Sequence, residues 1–232
     1  MKVGVLFSGG KDSCLALHMV HEQGDKISCL MSVLSKNHDS FMFHTPAIGF
    51  VKKQAKALQI PLLTTISLGE EEKEVDDLKK LIAKAVQRYK ITGVVTGAVR
   101  SIYQASRIQR ICNELGVACF NPLWMKDAEE HLLDILQKRM QCIVTKVSAY
   151  GFDKSWVGRE IDSQFLYDIK KLHEKFGISM VGEGGEYESF VLDAPLFKRR
   201  LDIREKEVHA DRHYALLEIK KMHLVKKERR RS

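Results

Sequence analysis

The strongest constraint on this chain lies in residues 2–14, Lys-Val-Gly-Val-Leu-Phe-Ser-Gly-Gly-Lys-Asp-Ser-Cys. Val3, Val5, Leu6 and Phe7 form a short apolar run that reads as a buried parallel strand. Ser8-Gly9-Gly10 ends the run, and the two glycines allow backbone angles that bulkier residues avoid. Asp12 and Ser13 are good helix starters, and Leu15, Leu17 and Val20 follow at helical spacing. The expected unit is strand, glycine turn, helix N-terminus. Backbone N–H groups and the positive end of the helix dipole converge at such a turn, so a phosphate is its natural guest.

The spacing is not that of the G-x-x-x-x-G-K-[ST] phosphate loop, because Lys11 stands two residues before Ser13. Ser8-Gly9-Gly10-Lys11-Asp12-Ser13 instead resembles the pyrophosphate loop of the ATP pyrophosphatase superfamily. Those enzymes cut ATP between the α and β phosphates, and the loop holds the departing pyrophosphate.

The rest of the chain alternates strands with helices. Ile27–Leu34 reads as a second buried strand. Pro46 suits the first turn of a helix that runs to Leu58, with Ile48, Val51, Ala55 and Leu58 on one face. Leu62–Ile66 is the third strand, and the acids Glu70, Glu71 and Glu72 open a long amphipathic helix with Val75, Leu78, Ile82, Ala85, Val86 and Tyr89 as its stripe. Thr92–Gly97 is the fourth strand. The helix after it buries Ile102, Ala105, Ile108, Ile111 and Leu115, and turns Tyr103, Gln104 and Arg107 the other way. Val117–Phe120 is the fifth strand, closed by Asn121-Pro122-Leu123-Trp124.

Five such alternations specify an α/β fold, a doubly wound parallel five-stranded sheet, with the expected strand order 3-2-1-4-5. The crevice then opens between strands one and four, where the Ser8–Ser13 loop and the Gly97 turn would face each other across a nucleotide. This domain spans 1–125. A smaller mixed α/β domain spans 126–232, with helices at Asp127–Met140 (Leu132, Leu133 and Leu136 inward) and Asp162–Phe176 (Phe165, Ile169, Leu172 and Phe176 inward). Its strands are Cys142–Val147, Ile203–His209 and Tyr214–Val225.

At 232 residues and 44% hydrophobic content, the chain can bury a proper core. No apolar run is long enough to span a membrane, so a cytoplasmic protein is expected. Cys14, Cys29, Cys112, Cys119 and Cys142 occur singly, without metal-ligand or redox spacing, and read as small buried residues. Part of the net charge of +8 sits in a basic tail at 226–232, which reads as solvated.

A second unusual stretch is Gly182-Glu183-Gly184-Gly185-Glu186-Tyr187-Glu188-Ser189. Carboxylates interleaved with glycines can be folded close together, and together they invite a cation: Mg²⁺, ammonium or a charged substrate group.

In chain order, the loop at Ser8–Ser13, Met42-Phe43-His44-Thr45-Pro46, Gly97-Ala98-Val99-Arg100-Ser101-Ile102-Tyr103-Gln104, Pro122-Leu123-Trp124 and Glu183-Gly184-Gly185-Glu186-Tyr187-Glu188 together resemble the diphthine–ammonia ligase family in its short archaeal-type form. The match runs from residue 2 to about Phe197, with Ser189 where a Thr is usual and Ile102 where a polar residue is common. The resemblance implies the pyrophosphate-loop fold and the amidation of diphthine on translation elongation factor 2 to diphthamide. Adenylation of the carboxylate by ATP would supply a good leaving group, AMP, for attack by ammonia.

The resemblance also implies roles. Ser8, Gly9, Gly10 and Ser13 hold phosphates, and Lys11 neutralises charge developing on pyrophosphate. Asp12 binds Mg²⁺ or caps the helix. Met31, His44 and Gly97 border the nucleotide. Tyr103, Gln104 and Arg107 face the substrate, with Arg107 on its carboxylate. Glu183, Tyr187 and Glu188 suit the quaternary ammonium of diphthine or free ammonium, and Glu186 is the catalytic acid of the group. No glutaminase domain fits in this length, so free ammonium is the expected nitrogen source. Neither a membrane nor a nucleic acid is an expected partner, and a homodimer is left open. Two other readings use the same loop: a tRNA-modifying adenylating enzyme of the lysidine synthetase type, and a non-catalytic adenine-nucleotide-binding protein.

Overall fold

The computed structural model describes residues 1–35, 47–67, 71–212 and 214–227. The elements run β1 (Lys2–Leu6), α1 (Lys11–Glu22), β2 (Lys26–Ser35), α2 (Val51–Leu58), β3 (Leu62–Ser67), α3 (Glu71–Tyr89), β4 (Gly93–Val95), α4 (Ile102–Glu114) and β5 (Ala118–Phe120). They continue as α5 (Ala128–Gln137), β6 (Gln141–Val147), α6 (Ser163–Phe176), β7 (Tyr187–Asp193), β8 (Arg199–Asp211) and β9 (Tyr214–Lys226). The chain divides into two compact units, Met1–Val51 with Ile60–Lys126, and Lys52–Gln59 with Asp127–Ser232.

The first unit carries a five-stranded sheet of order β3-β2-β1-β4-β5, and every neighbouring pair is parallel. This is the expected topology, with β1 at its centre and strand order reversing on either side of it. The sheet is held by the α3 stripe. Val75, Leu78, Ile82 and Ala85 pack with Met31, Val33, Leu63 and Val94 of the strands, and Ile108, Ile111 and Cys112 of α4 join the same cluster. Each fully buried Leu or Ile contributes about 1.5–3 kcal/mol relative to exposure.

Three apolar residues expected inward lie outward instead. Ile102 is 73% exposed, because as the first residue of α4 it precedes the turn that meets the sheet. Leu133 is exposed because the buried positions of α5 are His131, Leu132 and Ile135. Phe176, the last residue of α6, is also exposed, and its ring meets Tyr150 edge-on at 5.1 Å.

The second unit is a four-stranded sheet of order β7-β6-β9-β8, whose pairs are all antiparallel. Its helices have clear ends. Asp127 accepts from Glu129 N and Glu130 N at 2.9 and 3.0 Å, and Asp162 accepts from Phe165 N at 2.7 Å. Gly177, at φ 69°, closes α6 in the left-handed conformation. Helix α2 belongs here rather than with the parallel sheet it interrupts in sequence. Gln54 Nε2 donates to Val191 O at 2.8 Å, Lys53 Nζ to Met222 O at 2.6 Å, and Lys198 N to Ala57 O at 2.7 Å. The sequence reading had also missed β7, whose alternation begins inside the glycine-rich stretch.

Candidate functional site

The loop after β1 is built by its own hydroxyls. Ser13 Oγ donates to Gly10 O at 3.2 Å and lies 3.2 Å from Ser8 Oγ, while Ser8 N donates to Ser13 Oγ at 3.3 Å. Gly9 sits at φ 84°, in the region that only glycine adopts freely. The N-cap of α1 is Gly10, which makes no side-chain cap bond. A glycine at the N-cap brings no capping oxygen of its own, which suits a helix start that receives a phosphate oxygen. Lys11 is only 3% exposed, and its Nζ lies 3.0 Å from Asp12 Oδ2. A buried ammonium beside a helix N-terminus, with the partly exposed Asp12 carboxylate against it, is a donor set suited to a polyphosphate.

The strand ahead of the loop is fixed by two bonds to β2. Phe7 N donates to Met31 O at 2.8 Å, and the buried Ser32 Oγ donates to Phe7 O at 2.6 Å. Ser32 was missed from sequence, although a lone hydroxyl inside an apolar strand is a signal that it bonds to something buried.

Gly97 stands against the loop itself. A Cβ placed there would lie 2.7 Å from Ser13 N, 2.9 Å from Asp12 C and 3.0 Å from Ser13 Cα. The turn after β4 therefore touches the first turn of α1 directly. Gly97 is required for close approach of two backbones, which is why no side chain stands there.

The other expected residues of the first unit are placed as follows. Met31 is 1% exposed, and its methyl lies over Gly4 in the core. Its side chain thus packs the sheet. His44 lies outside the described residues, as does the rest of Met42–Pro46. Tyr103 and Arg107 are brought together on α4. The Arg107 guanidinium lies 3.4 Å from the Tyr103 ring centroid, and its Nη1 donates to Tyr103 O at 3.4 Å. Gln104 N donates to the N-cap Ser101 Oγ at 3.3 Å, leaving the half-buried Gln104 beside that pair.

In the second unit the acidic turn is a structural device. Glu186 Oε2 accepts from Gly184 N at 2.8 Å, and Oε1 from Ser179 N at 3.2 Å. Its carboxylate is folded back to pin the turn, a structural part that its catalytic assignment did not foresee. Tyr187 is 2% exposed, donates its hydroxyl to Met180 O at 2.9 Å, and packs edge-on against Phe165 at 5.5 Å. It belongs to the core and offers no ring face to a cation. Gly182, at φ 72°, lies so close that a Cβ would stand 2.7 Å from Tyr187 O. Ser148 holds the turn from β6, donating Oγ to Gly185 O at 2.6 Å and N to Glu186 O at 2.9 Å. Glu183 stays exposed, and Glu188 is half-buried opposite Lys146 across the β6–β7 pair. The three carboxylates do not converge. Among the described residues, the trio that comes within ligating distance is Glu207, His209 and Glu218 on the β8–β9 hairpin, where Lys220 already pairs with both glutamates.

The cysteines are all free thiols. Burial pushes Cys29 up to about 12. Cys112 donates its S–H to Cys119, which raises Cys112 and holds the half-buried Cys119 below the usual thiol range.

Comparison with known proteins decides the family. Residues 1–119 match the diphthamide synthase N-terminal domain, and residues 127–225 match the diphthamide synthase C-terminal domain. The chain belongs to the diphthamide synthase family. Its relatives include the diphthine–ammonia ligases of Bos taurus and Homo sapiens, each 32% identical over 227 residues that cover 90% of this chain and 85% of theirs. The diphthine–ammonia ligase of Danio rerio is 32% identical and covers 96% of both chains. A solved structure described as a predicted subunit of tRNA methyltransferase from Methanocaldococcus jannaschii is 18% identical over 84% of this chain and 98% of that one, with a TM-score of 0.44. At that score the likeness carries no argument. Family membership does not favour the lysidine-synthetase or nucleotide-sensor readings.

Two substitutions separate packing from chemistry in this member of the diphthamide synthase family. Gly97→Ala drives a methyl into the backbone of Asp12 and Ser13. It is expected to weaken ATP binding about tenfold or more by displacing the loop, read by calorimetric titration. Unchanged affinity would mean the loop tolerates the shift. Glu186→Gln should cost about 1–3 kcal/mol of stability, because one of two backbone N–H groups then faces an amide N–H. Amide exchange at Ser179 and Gly184 should speed up, while kcat changes by less than about threefold. A loss of about 10²–10⁴ in kcat at unchanged stability would return Glu186 to a catalytic role.

Proposed function

We propose that this protein amidates diphthine on translation elongation factor 2, using ATP and ammonium and releasing AMP and pyrophosphate. The observation that carries the reading is Lys11, a nearly buried ammonium held at a glycine-capped helix start. That arrangement supplies charge to a polyphosphate leaving group.

The chemistry follows from the residues around it. The loop N–H groups and the hydroxyls of Ser8 and Ser13 bind and orient the phosphate chain. Lys11 offsets the charge that builds on the bridging oxygen as pyrophosphate departs, an effect strengthened by its burial. The diphthine carboxylate attacks the α-phosphorus and becomes an acyl-adenylate. Ammonia then attacks the acyl carbon, AMP leaves, and the amide forms. Asp12 fits a Mg²⁺ ion, since its side chain is one-third exposed and one carboxylate with phosphate oxygens is the usual Mg²⁺ environment. The ion would share the neutralisation of phosphate charge. On α4, Arg107 stacked on Tyr103, with Gln104 beside it, is the candidate holder of the substrate carboxylate. Gly97 contributes by keeping the loop in place. In the second unit Glu183 and Glu188 remain the acids that can face a cationic substrate group, with Glu186 shaping the turn that carries them.

Incubation with ATP, Mg²⁺, ammonium and diphthine-bearing elongation factor should yield AMP and pyrophosphate in step with diphthamide. Lys11→Ala should slow AMP formation about 10²–10³-fold. Formation of ADP, or full activity in the Lys11 variant, would overturn the reading.

A further inference from the structure

The second unit has a surface feature that the reaction chemistry does not use. An open groove of about 550 Å³ lies between α6 and the segment after β6, lined by Tyr150, Phe152, Phe176, Lys171, Lys175 and Arg212 among others. Its aromatic wall is fixed. Tyr150 is 69% exposed yet meets Phe176 edge-on at 5.1 Å, and a Cβ at Gly151 would stand 2.7 Å from the Phe176 ring. Gly151 sits at φ 101°, so glycine at this place both permits the turn and lets the ring close on the backbone.

Among the described residues, three cations and no carboxylate line the groove. Lys175 Nζ lies 4.9 Å from the Phe176 ring centroid, and Lys171 Nζ lies 4.2 Å from that of Tyr167 on the same helix. Among the described residues neither Lys175 nor Arg212 pairs with a carboxylate. Exposed cations left together beside apolar rings favour a partner that brings acids and some apolar surface. The segment that walls the groove also holds the acidic turn. Ser148 clamps Gly185 and Glu186, and Tyr150 follows two residues later.

We propose that this groove docks an acidic segment of the protein substrate. The proposal rests on the ligase reading, since that reading supplies a folded protein partner. A peptide needs acids only where the three cations stand. A polynucleotide carries a charge at every residue, more than three cations match. The perpendicular Tyr150–Phe176 pair also gives no run of parallel ring faces for successive bases.

The test is the double charge reversal K175E/R212E in the full chain. Both residues are exposed, so the fold should survive, and the melting temperature checks that it does. Binding of diphthine-bearing elongation factor is measured by titration calorimetry, apart from turnover. The variant should bind about tenfold or more weakly, with a shallower salt dependence, while KM for ATP and for ammonium stays unchanged. Unchanged binding of the factor by the variant, or no binding by the unsubstituted protein, overturns the docking groove. So does tight binding of single-stranded RNA that the double reversal abolishes while factor binding persists. If the unsubstituted protein binds the factor, the double reversal weakens it, and yet no AMP is formed, the groove stands and the ligase reading falls.

Discussion

The contact between Gly97 and the backbone of Asp12 and Ser13 is the constraint on which the first unit's site depends. A parallel sheet delivers the ends of β1 and β4 to one side, but it does not by itself fix a loop in a usable shape. Two backbones at van der Waals distance do that, with Ser13 Oγ tied to Gly10 and Ser32 tied to Phe7. The result is a helix start held on three sides, whose N-cap is a glycine and whose first residue is a buried lysine. Such a site is preorganised. Its dipoles and charge are in place before a phosphate arrives, so little reorganisation opposes charge migration when the phosphoanhydride breaks.

The second unit uses the same physics for another end. Its acid-rich turn is rigid because a carboxylate, Glu186, is spent on two backbone N–H groups and a tyrosine, Tyr187, is buried beneath it. A turn with three glycines is entropically costly to order. It is pinned from inside by Glu186 and, from the residue after β6, by Ser148. One acid of the motif thus builds the turn, while Glu183 is exposed on it and Glu188 lies on β7.

Much of the fold was legible because periodicity changes sharply along the first half of the chain. Val3–Phe7 is a continuous apolar run and α3 a clean 3.6-residue stripe, so sheet and order follow. The loop was legible because its residue types have few other uses at a strand-to-helix junction. The misses have physical causes. An amphipathic stripe says that α2 is covered but not by what, and Gln54 reaching Val191 answers it only in three dimensions. A residue in a strand buried on both faces, such as Met31, cannot be sorted from sequence into ligand-facing or core-facing. Tyr187 was misread because β7 begins where the glycine turn ends, so a core residue stood inside a motif that looked like a binding loop. Gly97 stood out in the sequence, and the structure adds a close backbone neighbour that no sequence pattern shows.

The central claim is that ATP held by this loop is attacked at its α-phosphorus by a carboxylate. Isotope exchange between pyrophosphate and ATP in the absence of ammonium tests it most directly, since only a reversible adenylation returns labelled pyrophosphate to ATP. The account predicts exchange that requires diphthine-bearing elongation factor 2. No exchange with that factor present, or exchange at the same rate without it, would contradict it.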